Sequence, residues 1–147
     1  MKSIASPAIA LAVALTAFAD IGKAQEPTLL SMKEGDTLQV RVVTLVTASC
    51  YPLFLSLEGI DILEGPPEIS LKFEPGMVHT FTTSRDCPKP VTGGTVMATA
   101  AKDIAARKDT LLTFRVRFKT KQGQSQNTAR YRVLLFPSDD LATVSKQ

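Results

Sequence analysis

The sequence predicts an all-β protein folded as a single antiparallel β-sandwich. Short segments rich in β-branched and aromatic residues follow one another at regular intervals, with Gly, Pro and Asp between them. Within several segments, apolar and polar residues alternate, which gives each strand one face to bury. Two sheets packed face to face bury such faces. A small closed β-barrel is the alternative.

The first 24 residues have the pattern of a secretory signal peptide. Lys2 gives a positive start, an apolar run covers residues 8–19, and small residues precede a cleavage point after Ala24. This run is shorter than the about 20 residues of a membrane span, so no span is predicted. We expect a sandwich domain over residues 25–137, a flexible polar tail over residues 138–147, and a periplasmic or secreted location.

The two cysteines, Cys50 and Cys87, are expected to form one disulfide bond. Disulfides persist in oxidising compartments, and an isolated pair in a secreted chain is most simply explained by one intramolecular bridge. Free thiols and an intermolecular bridge are the alternatives. A zinc site is disfavoured, because His79 is the only histidine of the chain.

Nine strands are expected, separated by turns at residues 34–36, 64–67, 74–76 and 93–94, where Gly and Pro supply the required backbone angles. The expected strands are 28–33, 37–47, 53–58, 60–63, 68–73, 77–84, 95–100, 110–120 and 129–136. Residues 100–108 have a helical composition, and we expect a turn or two of helix there, within a connection.

Alternation assigns the faces of three strands. Odd positions face inward in 69–73, and even positions face inward in 112–118. In 53–58 the leucines at odd positions are expected on the face opposite Phe54. A Cys50–Cys87 bond requires both cysteines at the same end of the sandwich. Segment 60–63 is therefore expected to be extended and to reverse direction, or else 59–67 crosses over.

The succession 34-EGDTLQVRVVTLVTAS-49, 69-ISLKFEPGMVHTFTTS-84 and a closing hairpin resembles bacterial immunoglobulin-like modules. It is most similar to the CARDB and fibronectin-type-III-like kind found in envelope and secreted proteins. A Leu-x-Pro-Gly corner commonly precedes a Thr-rich strand in those modules, and residues 73–76 occupy that place. The resemblance covers about residues 30–136 and implies an immunoglobulin-like sandwich. It implies no activity, and the chain lacks the tryptophan and the cysteine positions of antibody domains.

The closing hairpin places a cation at every second position, which predicts a basic face. Its aromatic residues fall on the opposite side of the strand, which argues against a base-stacking platform and leaves a solvated outer face as the simpler interpretation. The predicted basic face consists of Arg115, Arg117, Lys119, Lys121, Arg130 and Arg132.

Charge is also sorted along the chain. Residues 101–136 carry nine cations against two carboxylates, a net +7, whereas residues 51–76 carry five carboxylates against one cation, a net −4. Six like charges on one hairpin repel each other unless anions lie near, which points to an acidic protein or an envelope polyanion as partner. Nucleic acid is not expected, because the overall charge is close to balanced.

No catalytic residues and no cofactor are predicted. A Ser or Cys nucleophile would need His79 as its base, and nothing near it specifies such an arrangement. His79 is expected in the core or at its rim. The alternative is a periplasmic copper carrier using Met77, His79 and Met97, whose donors are soft or borderline. The sequence thus favours a non-enzymatic binding or accessory protein that acts by surface recognition.

Overall fold

The computed structural model describes residues 26–82 and 84–138, which form seven β-strands. The predicted signal peptide over residues 1–24 and nearly all of the predicted tail lie outside these residues. The strands are β1 (Thr28–Lys33), β2 (Thr37–Val43), β3 (Phe54–Glu64), β4 (Ile69–Val78), β5 (Val91–Ala100), β6 (Lys108–Thr120) and β7 (Gly123–Phe136).

The strands form two sheets that pack as a β-sandwich. The first sheet has the order β1-β7-β6-β3 and the second has the order β2-β5-β4. Strand pairing is antiparallel except between β1 and β7, which run parallel with Thr28 beside Tyr131. The sheets stay separate, so the predicted sandwich is confirmed and the described residues do not close into a barrel.

The core lies between β6 and β5. The inward side chains of β6 are large and almost fully buried, as the alternation predicted, whereas those of β5 are small. Large side chains facing small ones fill the space between two sheets at high density. The inward residues are Leu112, Phe114, Val116 and Phe118 on β6, and Val96, Ala98 and Ala100 on β5.

Two pairs of predicted strands are each one longer strand. Segments 53–58 and 60–63 join in β3, and segments 68–73 and 77–84 join in β4, which ends at Val78. The turn predicted at residues 74–76 was wrong. Because β4 is an edge strand, its Pro75 lies in a position where a missing amide hydrogen is tolerated.

The turn predicted at Gly93-Gly94 was also wrong, because both glycines lie inside β5. A Cβ on Gly94 would lie 2.3 Å from Cζ of Phe73 and 2.5 Å from the carbonyl oxygen of Glu74. Glycine is therefore needed for close approach between β4 and β5. This approach lets the Phe73 ring reach Phe54 across the sheets, with ring centroids 6.3 Å apart.

At the start of β3 the predicted faces hold for Leu55, which lies opposite Phe54, and fail for Leu57, which packs against the core as Phe54 does. Phe54 is buried, and Leu55 is 53% exposed. The pairing of β3 with β6 shifts register between residues 54 and 56, between 57 and 59, and between 62 and 64. Such bulges insert an extra residue and invert the alternation beyond it, so a period of two could not assign this strand.

The Cys50–Cys87 disulfide is present, with its Cα atoms 5.6 Å apart. It joins the β2–β3 loop (residues 44–53) to the β4–β5 loop (residues 79–90). Segment 60–63 is extended, as predicted, but it continues β3 without reversing. Two strands, β3 and β4, separate the cysteines, and the chain crosses between the sheets at residues 65–68, so both loops reach the same end of the sandwich.

The remaining connections contain no regular structure. Residues 101–107, where a short helix was predicted, form an irregular connection with Ile104 buried under the sandwich. The Ile104 amide donates a hydrogen bond to Glu34, which ties this connection to the β1–β2 turn. Within the described part of the chain there is no helix long and apolar enough to cross a membrane.

Removing the disulfide with Cys50→Ser/Cys87→Ser should lower the free energy of unfolding by about 4 kcal/mol, since the bond restricts the unfolded chain. Urea unfolding of the variant and of the native protein measures this difference. Reduction of the native protein with dithiothreitol is the control and should give a similar loss. Equal stability of all three samples would contradict the role of the bond.

Replacing Gly94 by Ala should destabilise the fold by about 1–3 kcal/mol, because the new methyl group meets a backbone oxygen and a packed ring. Gly76→Ala is the matched control: it lies on the neighbouring strand, paired with Gly93, and has open space around it. Thermal unfolding of both variants tests this. Equal midpoints would show that the close approach at Gly94 is not required.

Candidate functional site

The predicted basic face exists as a continuous outward surface of the first sheet. Arg115, Arg117 and Lys119 point outward from β6, and Arg130 and Arg132 point outward from β7, while the aromatic residues of β6 face the core. Lys121 lies apart from them, in the turn between β6 and β7. We use the name basic face for the first five residues.

Three cations of the basic face are held by carboxylates of the same sheet. Arg117 Nε donates a hydrogen bond to Asp61 Oδ2 at 2.8 Å, and Lys119 Nζ lies 4.0 Å from Glu58 Oε1. Arg132 donates two hydrogen bonds to Asp109, at 3.0 and 2.6 Å. Both Glu58 and Asp61 belong to β3, so the acidic segment of the chain lies directly beside the basic strand.

These contacts shift the pKa values of their partners. Hydrogen bonds from Arg117 lower the pKa of Asp61, and hydrogen bonds from Arg132 lower the pKa of Asp109. The same bonds raise the pKa values of both arginines. All four groups are open to solvent, so the pairs fix side-chain positions more than they stabilise the fold. Much of the charge of the basic face is therefore balanced within the sheet.

Arg115 and Arg130 differ from the other cations of the basic face. Neither has a carboxylate oxygen within 4 Å among residues 26–82 and 84–138. They are diagonal neighbours, because Arg130 pairs with Thr113 and Arg115 pairs with Thr128. The Nε atom of Arg115 is buried without a hydrogen-bond partner in the described structure. Arg115 nevertheless lies opposite Asp61 and its charge helps to lower the pKa of that carboxyl, so the exposed Arg130 is the position of the face most open to an added anion.

The end of the sandwich that carries the disulfide forms a second surface, which we call the disulfide end. It consists of the loops 44–53 and 79–90, which the disulfide joins, and of the turn 121–122. The backbone amide of Lys121 in this turn donates a hydrogen bond to the carbonyl oxygen of Leu53 in the first loop. Isolated bridges between Val46 and Pro52 and between Phe81 and Asp86 narrow both loops. The disulfide, the two bridges and the hydrogen bond from Lys121 thus hold these loops in place.

Large apolar side chains are exposed at the disulfide end. Phe81 is 73% exposed and Tyr51 is 57% exposed. The ammonium group of Lys121 lies 4.5 Å from the centre of the Tyr51 ring. The exposed cations Arg85 and Lys89 lie in the same loops. Sequence reasoning missed this surface: it assigned Phe81 to a strand, and only the proximity of Tyr51 to Cys50 could have indicated it.

An apolar groove opens beside the disulfide end, between the free edges of β3 and β4. It has a volume of about 460 Å³ and is lined by Phe54, Leu57, Phe73 and Met77 among others. Met77 is 65% exposed. The groove lies beside the first register shift of β3 and beside Gly93 of β5.

The residues of the predicted copper site are not brought together. Met77 pairs with Thr92 and Met97 pairs with Lys72, so the two methionines are five rows apart on opposite faces of the sheet. His79 lies beyond the end of β4 and is exposed, contrary to the predicted core or rim position. Among residues 26–82 and 84–138, no three His, Cys, Asp or Glu side chains are grouped to hold a metal ion.

No family model, no curated protein and no solved structure matches this chain. The resemblance to CARDB and fibronectin-type-III-like modules therefore stays a prediction. Its corner motif at residues 73–76 lies inside β4 and makes no corner.

The ion pair between Asp61 and Arg117 should make stability depend on pH. Because the pKa of Asp61 is lowered on folding from its usual value of 3.8, its contribution is complete above that pH and is lost as the pH falls below it. Asp61→Asn should thus lower the thermal midpoint slightly at pH 6, and the difference from the native protein should vanish in acid.

Glu64→Gln is the control for this experiment, since Glu64 lies on the same strand and forms no ion pair with the described residues. Thermal unfolding between pH 2 and 7 supplies the data. A difference between Asp61→Asn and the native protein that is constant over this range would contradict the assignment.

Proposed function

We propose that this protein is a non-enzymatic recognition protein that acts outside the cytoplasm and binds an acidic surface of another protein. The disulfide supports the location, because such bonds persist in oxidising compartments. The exposed aromatic side chains on braced loops carry the proposal. The pattern of the first 24 residues agrees with secretion.

The disulfide end is the proposed contact surface. Tyr, Phe, Met and Arg are enriched at protein interfaces, and exposed aromatic residues commonly supply their main anchors. Tyr51 and Phe81 are such anchors, and the disulfide holds their loops in place before binding. Loops that are already ordered lose less conformational entropy when a partner binds.

Charge at this end favours an acidic partner. Its loops carry the cations Arg85, Lys89 and Lys121 against the single carboxylate Asp86. Opposite charges around an apolar centre speed association and select among partners. A protein surface with a few carboxylates around an apolar patch would complement this arrangement.

The basic face is the second candidate surface, on the observation that Arg115 and Arg130 lack carboxylate partners in the described structure. A highly charged envelope polyanion is disfavoured there. It would meet Glu58, Asp61 and Asp109 together with the cations and would have to compete with their ion pairs. A protein carrying both signs of charge fits this face better.

The immunoglobulin-like assignment belongs to the same proposal. Its support is the strand order: constant-type immunoglobulin domains pair their second, fifth and fourth strands in one sheet and their third, sixth and seventh strands in the other. The present sheets contain the same sets of strands. The first strand differs, because β1 pairs with β7 in the larger sheet.

Capture from an envelope extract with immobilised protein tests the function. The variant Tyr51→Ala/Phe81→Ala should weaken binding of the captured protein by roughly ten-fold or more. The variant Arg115→Ser/Arg130→Ser is the matched control, since it changes one half-buried and one exposed arginine on the other surface. Binding is measured by calorimetry with the captured protein, after thermal unfolding has shown that both variants are folded.

The binding of the two variants distinguishes the two candidate surfaces. Loss of binding in the aromatic variant alone supports the disulfide end as the contact surface. Loss in the arginine variant alone moves the contact to the basic face. Unchanged binding in both variants, or the absence of any captured protein, would overturn the proposed recognition function at these surfaces.

A further inference from the structure

The strand β7 is covered by β1 along part of its length only. Strand β1 pairs with residues 131–136, whereas β7 begins at Gly123. Residues 123–129 pair with β6 on one side and, among the described residues, form no backbone hydrogen bonds on the other. We call residues 123–129 the bare edge. Most of its side chains are exposed.

Every other sheet edge carries a feature that discourages strand pairing. Strand β3 has three register shifts, and β2 has one, next to Arg41. Strand β4 contains Pro75 and Lys72, and β1 is six residues long and follows Pro27. The bare edge has none of these features: its sequence GQSQNTA lacks proline and charge, and its register with β6 is unbroken.

We propose that the bare edge pairs antiparallel with the bare edge of a second copy of this chain. The two larger sheets would then form one continuous sheet of eight strands about a two-fold axis near Gln126 or Asn127. Free strand edges bind extended segments through backbone hydrogen bonds, and a two-fold axis lets one surface serve both copies.

The composition of the bare edge favours a second copy over a different partner. Antiparallel self-pairing brings identical segments face to face, and any net charge would then oppose itself. This segment is uncharged, and the amides of Gln124, Gln126 and Asn127 each offer both donors and acceptors. Within the described structure Gln124 already donates to Glu58 and Asn127 accepts from Arg41, so Gln126 is the amide left to pair with its own copy across the axis.

The ends of the paired segment leave room for a second copy. In an antiparallel pair the turn that precedes β7 in one copy approaches the chain that precedes β1 in the other. That turn carries Lys121, and the chain before β1 carries the exposed Glu26. Glu26 and Pro27 border a cleft of about 330 Å³ with Arg41, Thr128 and Arg130, so the cleft leaves space for the incoming turn but places two arginines beside the single carboxylate.

The dimer is expected to be weak. A short strand pair alone buries less than the about 1,200 Å² of standard stable interfaces, which places its dissociation constant in the micromolar range or above. Sedimentation equilibrium of the purified protein, from about 10 µM to about 1 mM, should show a reversible monomer–dimer equilibrium. Amide hydrogen exchange within residues 123–129 should slow as the concentration rises.

Charge variants identify the surface. The variants Gln126→Lys/Thr128→Lys and Gln126→Glu/Thr128→Glu place like charges opposite each other about either two-fold axis, and each should raise the dissociation constant roughly ten-fold. An equimolar mixture of the two should restore dimers. Gln39→Lys/Ser70→Lys adds the same charge to exposed positions of the other sheet and should leave the equilibrium unchanged.

Four results would overturn the proposal. These are a protein that stays monomeric at 1 mM with fast exchange at the bare edge, a dimer that the charge variants do not weaken, and a mixture that fails to recover dimers. The fourth is a monomer whose residues 123–129 are protected at every concentration, which would show that another part of the same chain occupies the edge. The recognition test at the disulfide end is independent of all four.

Discussion

The contact between the large inward side chains of β6 and the small ones of β5 determines the rest of this structure. Phe114 and its neighbours on β6 belong to one buried cluster with Val96, Ala98 and Ala100 on β5, the central strand of the other sheet. Small residues on β5 leave room there, and Gly94 extends the same pattern toward the disulfide end, where the ring of Phe73 takes the place of a missing side chain. The core therefore sets both the spacing of the sheets and the position of the apolar groove at their open side.

The order of the strands in a sheet determines which charged stretches of the sequence become neighbours. The acidic stretch and the basic stretch are far apart in sequence, yet β3 and β6 are hydrogen-bonded neighbours. Carboxylates of β3 then meet an arginine and a lysine of β6, and part of the repulsion expected on the isolated hairpin is relieved within the molecule. Both stretches are visible in the sequence, but their pairing is not, because pairing between distant strands is not encoded in any local pattern. An external anion was therefore predicted to balance the cations. Of the basic face, Arg130 keeps the charge most available to an outside partner, because Arg115 is half-buried and lies opposite Asp61.

Alternation predicted the faces where strands are regular and failed where they are not. In β6, every residue from Leu112 to Phe118 lies on the predicted face, because this central strand is hydrogen-bonded to a neighbouring strand on each side. At the start of β3, a bulge between residues 54 and 56 puts Leu57 on the same face as Phe54, and no period-two pattern can reveal an inserted residue. The sequence could not show whether a glycine or proline lies in a turn or in a strand, for a related reason. They permit turns, but Pro75 is also compatible with an edge strand and Gly94 with close strand approach, and only the neighbouring strand decides between these uses.

The disulfide illustrates how a correct constraint can rest on an incorrect strand count. Its two cysteines required an even number of strand reversals between them, and this number holds with two long strands as it would with four short ones. The bond joins loops, so it contributes little to the centre of the core and mainly limits the freedom of the end that exposes Tyr51 and Phe81. Aromatic side chains in contact with water are a cost for a folded domain unless they have a further use. Fixing such residues on covalently linked loops would limit the entropy lost if a partner covered them, which is the physical argument for the proposed recognition at this end of the sandwich.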